Sequence, residues 1–182
     1  KIPALLKSNR ESPKVLILFD TSLSMPSIYR NEGMIAFKEK LENSIRENYP
    51  YAKIELWEAG SNLYEWLFKA SQESLDLIVY CTDGHVHDKL NPDNIPIYAQ
   101  GAPALILDVM ENNWPIFQEL ADLTSGKVVP ARDQVKTTAA INEYLMKLDT
   151  ASYIFEYHSK GKKEHEVKIN IVEKDVNDSD TY

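Results

Sequence analysis

The sequence predicts an α/β fold: a doubly wound, mostly parallel central sheet flanked by helices, with a C-terminal antiparallel β-hairpin appended. Three observations carry this expectation. The runs from Lys14 to Phe19, Leu75 to Cys81 and Ala104 to Val109 are apolar apart from Lys14, Asp76 and Asp108 near their ends and show no sustained polar alternation, as in strands covered on both faces of a parallel sheet. Between them, apolar residues recur every three or four positions, the period of a helix with one buried face. The first two runs lead into Asp20 and Asp83, at the carboxyl ends of strands where such sheets place ligands.

Taken in order, Met34, Phe37, Leu41 and Ile45 define a first amphipathic helix that stops near Tyr49-Pro50. Alternation in Ile54-Glu55-Leu56-Trp57 indicates a strand near a sheet edge. Leu63, Trp66, Leu67 and Ala70 form a second helical face after Gly60-Ser61-Asn62, where either polar residue could cap the helix. Residues 85–102, with Pro92, Pro96 and Gly101, read mainly as loop with a short strand at Ile95 to Tyr98. Trp114, Phe117, Leu120, Ala121 and Leu123 define a helix ending at Ser125-Gly126, where the glycine would supply a left-handed cap. A short strand at Lys127 to Val129 and a helix bearing Ala140, Ile141, Tyr144, Leu145 and Leu148 complete the alternation.

The C-terminal segments Tyr153 to Tyr157 and Glu166 to Val172 alternate apolar and polar residues around Lys160-Gly161-Lys162-Lys163, which predicts the hairpin and makes the lysine run its solvated tip. The expected organisation is an N-terminal extension at 1–13, an α/β domain at 14–150, the hairpin at 151–174 and a polar tail at 175–182. A start at Lys1 suggests a domain excised from a longer protein.

Composition narrows the function classes. A chain of 182 residues with 43% hydrophobic residues can bury one sizeable core, and no apolar run reaches the roughly 18 residues of a membrane span. A formal charge of −8 argues against a nucleic-acid or anionic-membrane binder and suits cations better. The one cysteine, Cys81, lies in an apolar run and reads as a buried thiol. Trp57, Trp66 and Trp114 fall on apolar faces and read as core.

The chemistry concentrates in Asp20-Thr21-Ser22-Leu23-Ser24, a carboxylate and two hydroxyls at alternate positions directly after a buried strand. Gly60-Ser61-Asn62-Leu63 and Thr82-Asp83-Gly84 follow in order. Together these segments resemble the von Willebrand factor A family, particularly its bacterial members, whose metal-ion-dependent adhesion site joins Asp-x-Ser-x-Ser to a threonine turn and a later Asp-Gly. The resemblance spans roughly Lys14 to Leu148 and departs at Ser61, where the family usually carries threonine. It implies a metal site built from Asp20, Ser22, Ser24, Ser61 and Asp83, with the serines coordinating directly and the aspartates acting largely through water. The metal implied is Mg2+, with Mn2+ or Ca2+ as alternatives, and the partner is a protein that supplies an Asp or Glu carboxylate. A loose similarity of the hairpin to a strand pair in bacterial relatives favours a cell-surface or periplasmic setting.

The residue types suit that chemistry on their own terms, because Mg2+ is a hard cation that takes oxygen ligands in near-octahedral geometry. Simpler uses stand beside it: a polar turn for Asp20, Ser22 and Ser24, a helix cap for Ser61, an Asp-Gly turn for Asp83. His85, His87 and Asp88 read as a solvated loop rimming the site and contributing to partner selectivity rather than as a separate transition-metal centre. Tyr29, Arg30 and Asn31 read as an exposed turn. A non-enzymatic binding module is expected, since no nucleophile is paired with a base and Gly-x-Ser-x-Gly is absent. Two rivals differ in class. A phosphotransferase of haloacid dehalogenase type would need a second aspartate where Ser22 stands, and an assembly domain would keep the fold without using metal.

Overall fold

The computed structural model describes residues 12–150, with side chains through Lys147, together with the backbone of 168–173 and 176–181. Its main body alternates strands and helices: β1 (Lys14–Asp20), α1 (Glu32–Asn48), β2 (Lys53–Ala59), α2 (Leu63–Ser71), β3 (Leu77–Thr82), α3 (Ile95–Gln100), β4 (Ala104–Asp108), α4 (Pro115–Leu123), β5 (Lys127–Pro130) and α5 (Gln134–Thr150). The five strands form one sheet in the order β2-β1-β3-β4-β5, and every pairing is parallel.

Burial follows the strand patterns. Val15 to Asp20 and all of β3 and β4 are buried, whereas β2, at the edge, leaves Leu56 exposed. Alternate β1 residues serve two cores. Val15, Ile17 and Phe19 pack with Phe37, Leu41 and Ile45 of α1 and Ala140, Ile141 and Leu145 of α5. Leu16 and Leu18 pack with Leu63 and Leu67 of α2, Tyr98 of α3 and Phe117 and Leu120 of α4. Helices therefore cover both faces, which is the doubly wound arrangement expected. Burying one such aliphatic side chain is worth roughly 1.5–3 kcal/mol, so the two cores dominate the stability of this body.

Three local readings change. Ile95 to Tyr98 is the start of α3 rather than a strand: Pro96 sits in the first turn, where its missing N–H costs nothing, and Tyr98 is buried against α2 with its hydroxyl donating to Tyr64 O at 2.9 Å. At the end of α4 the left-handed residue is Ser125, with φ 55°, not Gly126. Gly126 is needed for close approach, since a Cβ there would lie 1.9 Å from the Ala104 carbonyl oxygen. At the C-terminus, Tyr153 to Tyr157 lies outside the described residues. The described hairpin, a two-stranded antiparallel sheet of its own, pairs β6 (Lys168–Glu173) with β7 (Val176–Thr181), the latter within the stretch expected to be a polar tail. Among the described residues no helix is long and apolar enough to cross a membrane.

The strand order sets the position of the site. From β1 the chain passes through α1 on one face to β2, then through α2 on the other face to β3 on the far side of β1. The order therefore reverses between β1 and β3, and the carboxyl ends of strands at such a switch point are where open α/β sheets bind ligands.

Candidate metal centre

Asp20 closes β1 in register with Ala59 of β2, and Phe19 pairs with Cys81, so Thr82 lies level with Asp20 on the other side. The three motif segments thus leave three adjacent strands at one height. Asp20 is fully buried. Its Oδ1 accepts from Ser22 N–H at 2.8 Å and its Oδ2 from Thr82 Oγ1 at 2.9 Å. Burial is the largest influence on its carboxyl and pushes the pKa up; the Ser22 and Thr82 bonds pull it down, and the nearby negative charge of Asp83 pushes it up again. The net shift is upward.

The serine loop is tied at several points. Thr21 donates to Ala59 O through both N–H and Oγ1, at 2.8 and 2.9 Å. Met25 is buried in the core below Phe19 and Phe37, and its N–H donates to Ser22 O at 3.2 Å. Between these anchors the Oγ atoms of Ser22 and Ser24 lie 2.9 Å apart, while Leu23 between them is 89% exposed. Arg30 closes the loop from outside, with Nε donating to Met25 O at 2.6 Å and Nη2 to Leu23 O. Tyr29 is buried, edge-on to Phe37 at 5.0 Å. The expected exposed turn at Tyr29 and Arg30 is therefore a brace: an aromatic anchor beside a guanidinium that holds two carbonyls.

Asp83, the residue after β3, is fully buried. Its Oδ1 accepts from His85 N–H at 3.0 Å, with His85 Nδ1 at 3.5 Å, but its Oδ2 is buried without a hydrogen-bond partner. A buried acceptor left unsatisfied costs about 1–3 kcal/mol, more when charged, so this oxygen, like Tyr80 Oη and Asp88 Oδ1, departs from the rule that buried polar atoms are paired, and of the three it is the one in the Asp-Gly motif. Gly84 follows with φ 80°, packed so closely on α4 that a Cβ would fall 2.7 Å from Phe117 Cζ. Trp114 borders the same turn and stands 4.9 Å from the His85 ring, so it frames the site as well as packing on the core.

Ser61 is half-buried in the turn between β2 and α2, and its carbonyl accepts from His87 N–H at 3.0 Å. Its backbone, then, joins it to the loop after β3. The helix-cap use foreseen for this turn falls elsewhere: Asn62, the N-cap residue, makes no side-chain cap bond, and the Glu65 N–H is taken by Asp88 Oδ2 at 2.8 Å. Among the described residues no group of three or more His, Cys, Asp or Glu is placed to share a metal ion, and His85, His87 and Asp88 are each occupied differently.

Two buried polar residues at strand ends were not singled out as site candidates from the sequence, and only the first contributes to the site. Thr82 is the first; the signal for it was its place one residue before Asp83 at the end of an apolar run. Asp108 ends β4 as Asp20 ends β1, but its oxygens accept from the N–H groups of Met110, Glu111 and Asn113 at 2.7 to 3.0 Å. Asp108 is thereby spent on a turn that carries left-handed Glu111 and Asn113. Asp83 keeps one oxygen free.

No family model matches the chain, and no curated protein matches it. Solved structures with partial similarity include the lysine decarboxylase of Francisella novicida, at 10% identity over 75% of this chain and 17% of the decarboxylase, with a TM-score of 0.47. The chain thus spans only a small part of that enzyme. The non-phosphorylated receiver domain of the stress response regulator RcsB from Escherichia coli is 10% identical over 78% of this chain and 96% of its own, with a TM-score of 0.43. The type II dehydroquinase of Butyrivibrio crossotus is 13% identical over 76% of this chain and 97% of its own, with a TM-score of 0.44. The fold assignment rests on the strand order and the placement of the helices.

Proposed function

We propose that this chain is a von Willebrand factor A-type binding domain that holds Mg2+ at the carboxyl ends of β1 and β3 and uses it to capture an acidic residue of a protein partner. The observation that carries the reading is the buried Asp83 Oδ2, without a donor, just past the end of the strand next to the one that leads into buried Asp20 and the paired hydroxyls of Ser22 and Ser24. Carboxylate and hydroxyl oxygens are the donor set a hard divalent cation takes, and the site contains no soft ligand. Asp20, Ser22, Ser24 and Asp83 would hold the ion, with Ser61 reaching it from the neighbouring turn. When bound, the metal supplies positive charge that a partner carboxylate can meet, and the exposed Leu23 lies at the point of contact.

A binding role is favoured over an enzymatic one because Asp20 is already held through both oxygens by Ser22 and Thr82, and the residue two positions on is a serine where a phosphotransferase of haloacid dehalogenase type would need a second aspartate. Calorimetric titration of Mg2+ and Mn2+ tests the site. Heat and thermal stabilisation are expected for the wild-type chain and neither for Asp20→Ala. Acetate, as the simplest carboxylate, should then displace water from the Mn2+-loaded chain, read as a fall in water-proton relaxation. A wild-type chain that takes up no metal, or a loaded chain indifferent to acetate, refutes the corresponding half of the proposal.

A further inference from the structure

The loop after β3 and the turn before α2 are joined at two points. His87 N–H donates to Ser61 O at 3.0 Å, and four residues after Ser61 the Glu65 N–H donates to Oδ2 of Asp88, the residue after His87, at 2.8 Å. The second bond takes the place of the missing cap of α2: Asn62, its N-cap, supplies no side-chain acceptor to the helix and instead donates through Nδ2 to Glu65 Oε2 at 2.9 Å. A carboxylate here also meets the positive end of the helix macrodipole. The far ends of the two segments carry the motif residues, Ser61 on one and Asp83 on the other. No other side-chain bond among the described residues links the two segments.

We infer that Asp88 is a positioning residue, which clamps the start of α2 to the loop after β3 and so sets Ser61 relative to Asp83 in the metal site. This rests on the reading of that site given above. Asp88 touches neither metal ligand through its side chain, and its effect passes through the backbone of residues 61–65. Ser61 needs such help because a serine hydroxyl, with no second substituent on Cβ, is free to turn among its rotamers. Without the clamp, the His87 bond is the one that still joins the turn to the loop after β3 among the described residues.

The discriminating experiment is a double-mutant cycle on Mg2+ affinity with Asp88→Ala and Ser61→Ala, accompanied by thermal unfolding in chelator and by Asp88→Asn. Residues that orient metal ligands typically change affinity by about 10–100-fold, and a loss near tenfold is expected for Asp88→Ala. In the Ser61→Ala background the same substitution should change affinity less than twofold, because the hydroxyl it positions is gone. Asp88→Asn, which keeps the acceptor for Glu65 N–H, should recover most of the affinity. Equal losses in both backgrounds would show that Asp88 acts independently of Ser61, and an Asp88→Asn variant as weak as Asp88→Ala would show that its charge rather than the clamp matters; either overturns the inference while leaving the metal site standing. A wild-type chain that binds no Mg2+ overturns both.

Discussion

Thr82 Oγ1 donates to Asp20 Oδ2 at 2.9 Å across the gap between β3 and β1, and the same oxygen accepts from Gly84 N–H at 3.1 Å. One buried hydroxyl therefore fixes a carboxylate on one strand and starts the turn that carries Asp83 on the next. Thr82→Val preserves the shape and removes both bonds. Hydrogen bonds to charged groups contribute about 1.5–3 kcal/mol, and a loss in that range is expected in urea unfolding. Thr82→Ser should stay close to wild type. If the valine variant unfolds at the wild-type midpoint, the bond carries no weight.

Asp20 makes stability depend on pH in a defined direction. Its carboxyl is raised in the folded chain above the ordinary aspartate value of 3.8, chiefly by burial. The folded state then binds this proton more tightly than the unfolded state, so stability from this group falls as pH rises from the ordinary value through the raised one. In chelator at neutral pH, Asp20→Asn should raise the melting temperature, by roughly 2–4 °C for each kcal/mol gained. The same variant should bind no Mg2+. A melting temperature that falls in chelator would show that the Ser22 and Thr82 bonds outweigh the burial cost.

Metal affinity follows from the same shift with the opposite pH trend, because the ligand must be deprotonated. Mg2+ binding by the wild-type chain should weaken as pH falls through the raised Asp20 value, with protons released on binding. Calorimetry in buffers of different ionisation enthalpy reads that release directly, and a pH-independent affinity through the acid range would exclude Asp20 from the site.

Arg30 offers a separate test of the loop. Its guanidinium holds the carbonyls of Leu23 and Met25, and a lysine ammonium cannot reproduce that planar fork. Arg30→Lys and Arg30→Ala should both weaken Mg2+ binding, by about tenfold for alanine, while thermal stability in chelator moves little because the side chain is exposed. Unaltered affinity would mean that the Thr21 and Met25 anchors suffice.

Gly84 and Gly60 form a matched pair of substitutions. Gly84→Ala combines a left-handed backbone, which costs an L-residue about 1–2 kcal/mol, with a Cβ placed against Phe117. A destabilisation beyond the backbone figure alone is expected. Gly60→Ala meets only Trp66 Nε1, at 4.0 Å, and should be nearly neutral. Similar unfolding midpoints for the two variants would contradict the packing of Gly84 on α4.

Much of this was legible in the sequence because the interiors of strands buried on both faces are apolar, with polar residues only at their ends, so β1, β3 and β4 stood out without knowledge of their neighbours. The Asp20, Ser22 and Ser24 spacing was legible for the same reason: it begins where such a strand ends. What escaped depended on contacts between distant segments. Ile95 to Tyr98 has the β-branched character of a strand, and only the Tyr98 hydroxyl on Tyr64 and the Pro96 first turn make it helical. Gly126 announces a flexible cap, but the Ala104 carbonyl explains it. Arg30 and Asp88 look like exposed charges until the carbonyls of one loop and the free N–H of one helix are brought to them.

Cys81 lies fully buried in β3, between β1 and β4, and burial pushes its thiol well above the ordinary range. It is the only cysteine in the chain. A thiol reagent can reach it only when β3, the strand that leads into Asp83, separates from its neighbours, so the labelling rate counts openings of the sheet rather than surface reactivity. The unmodified protein thus carries its own reporter on the site's scaffold, and any ion that bridges the ends of β1 and β3 should be visible as slower labelling.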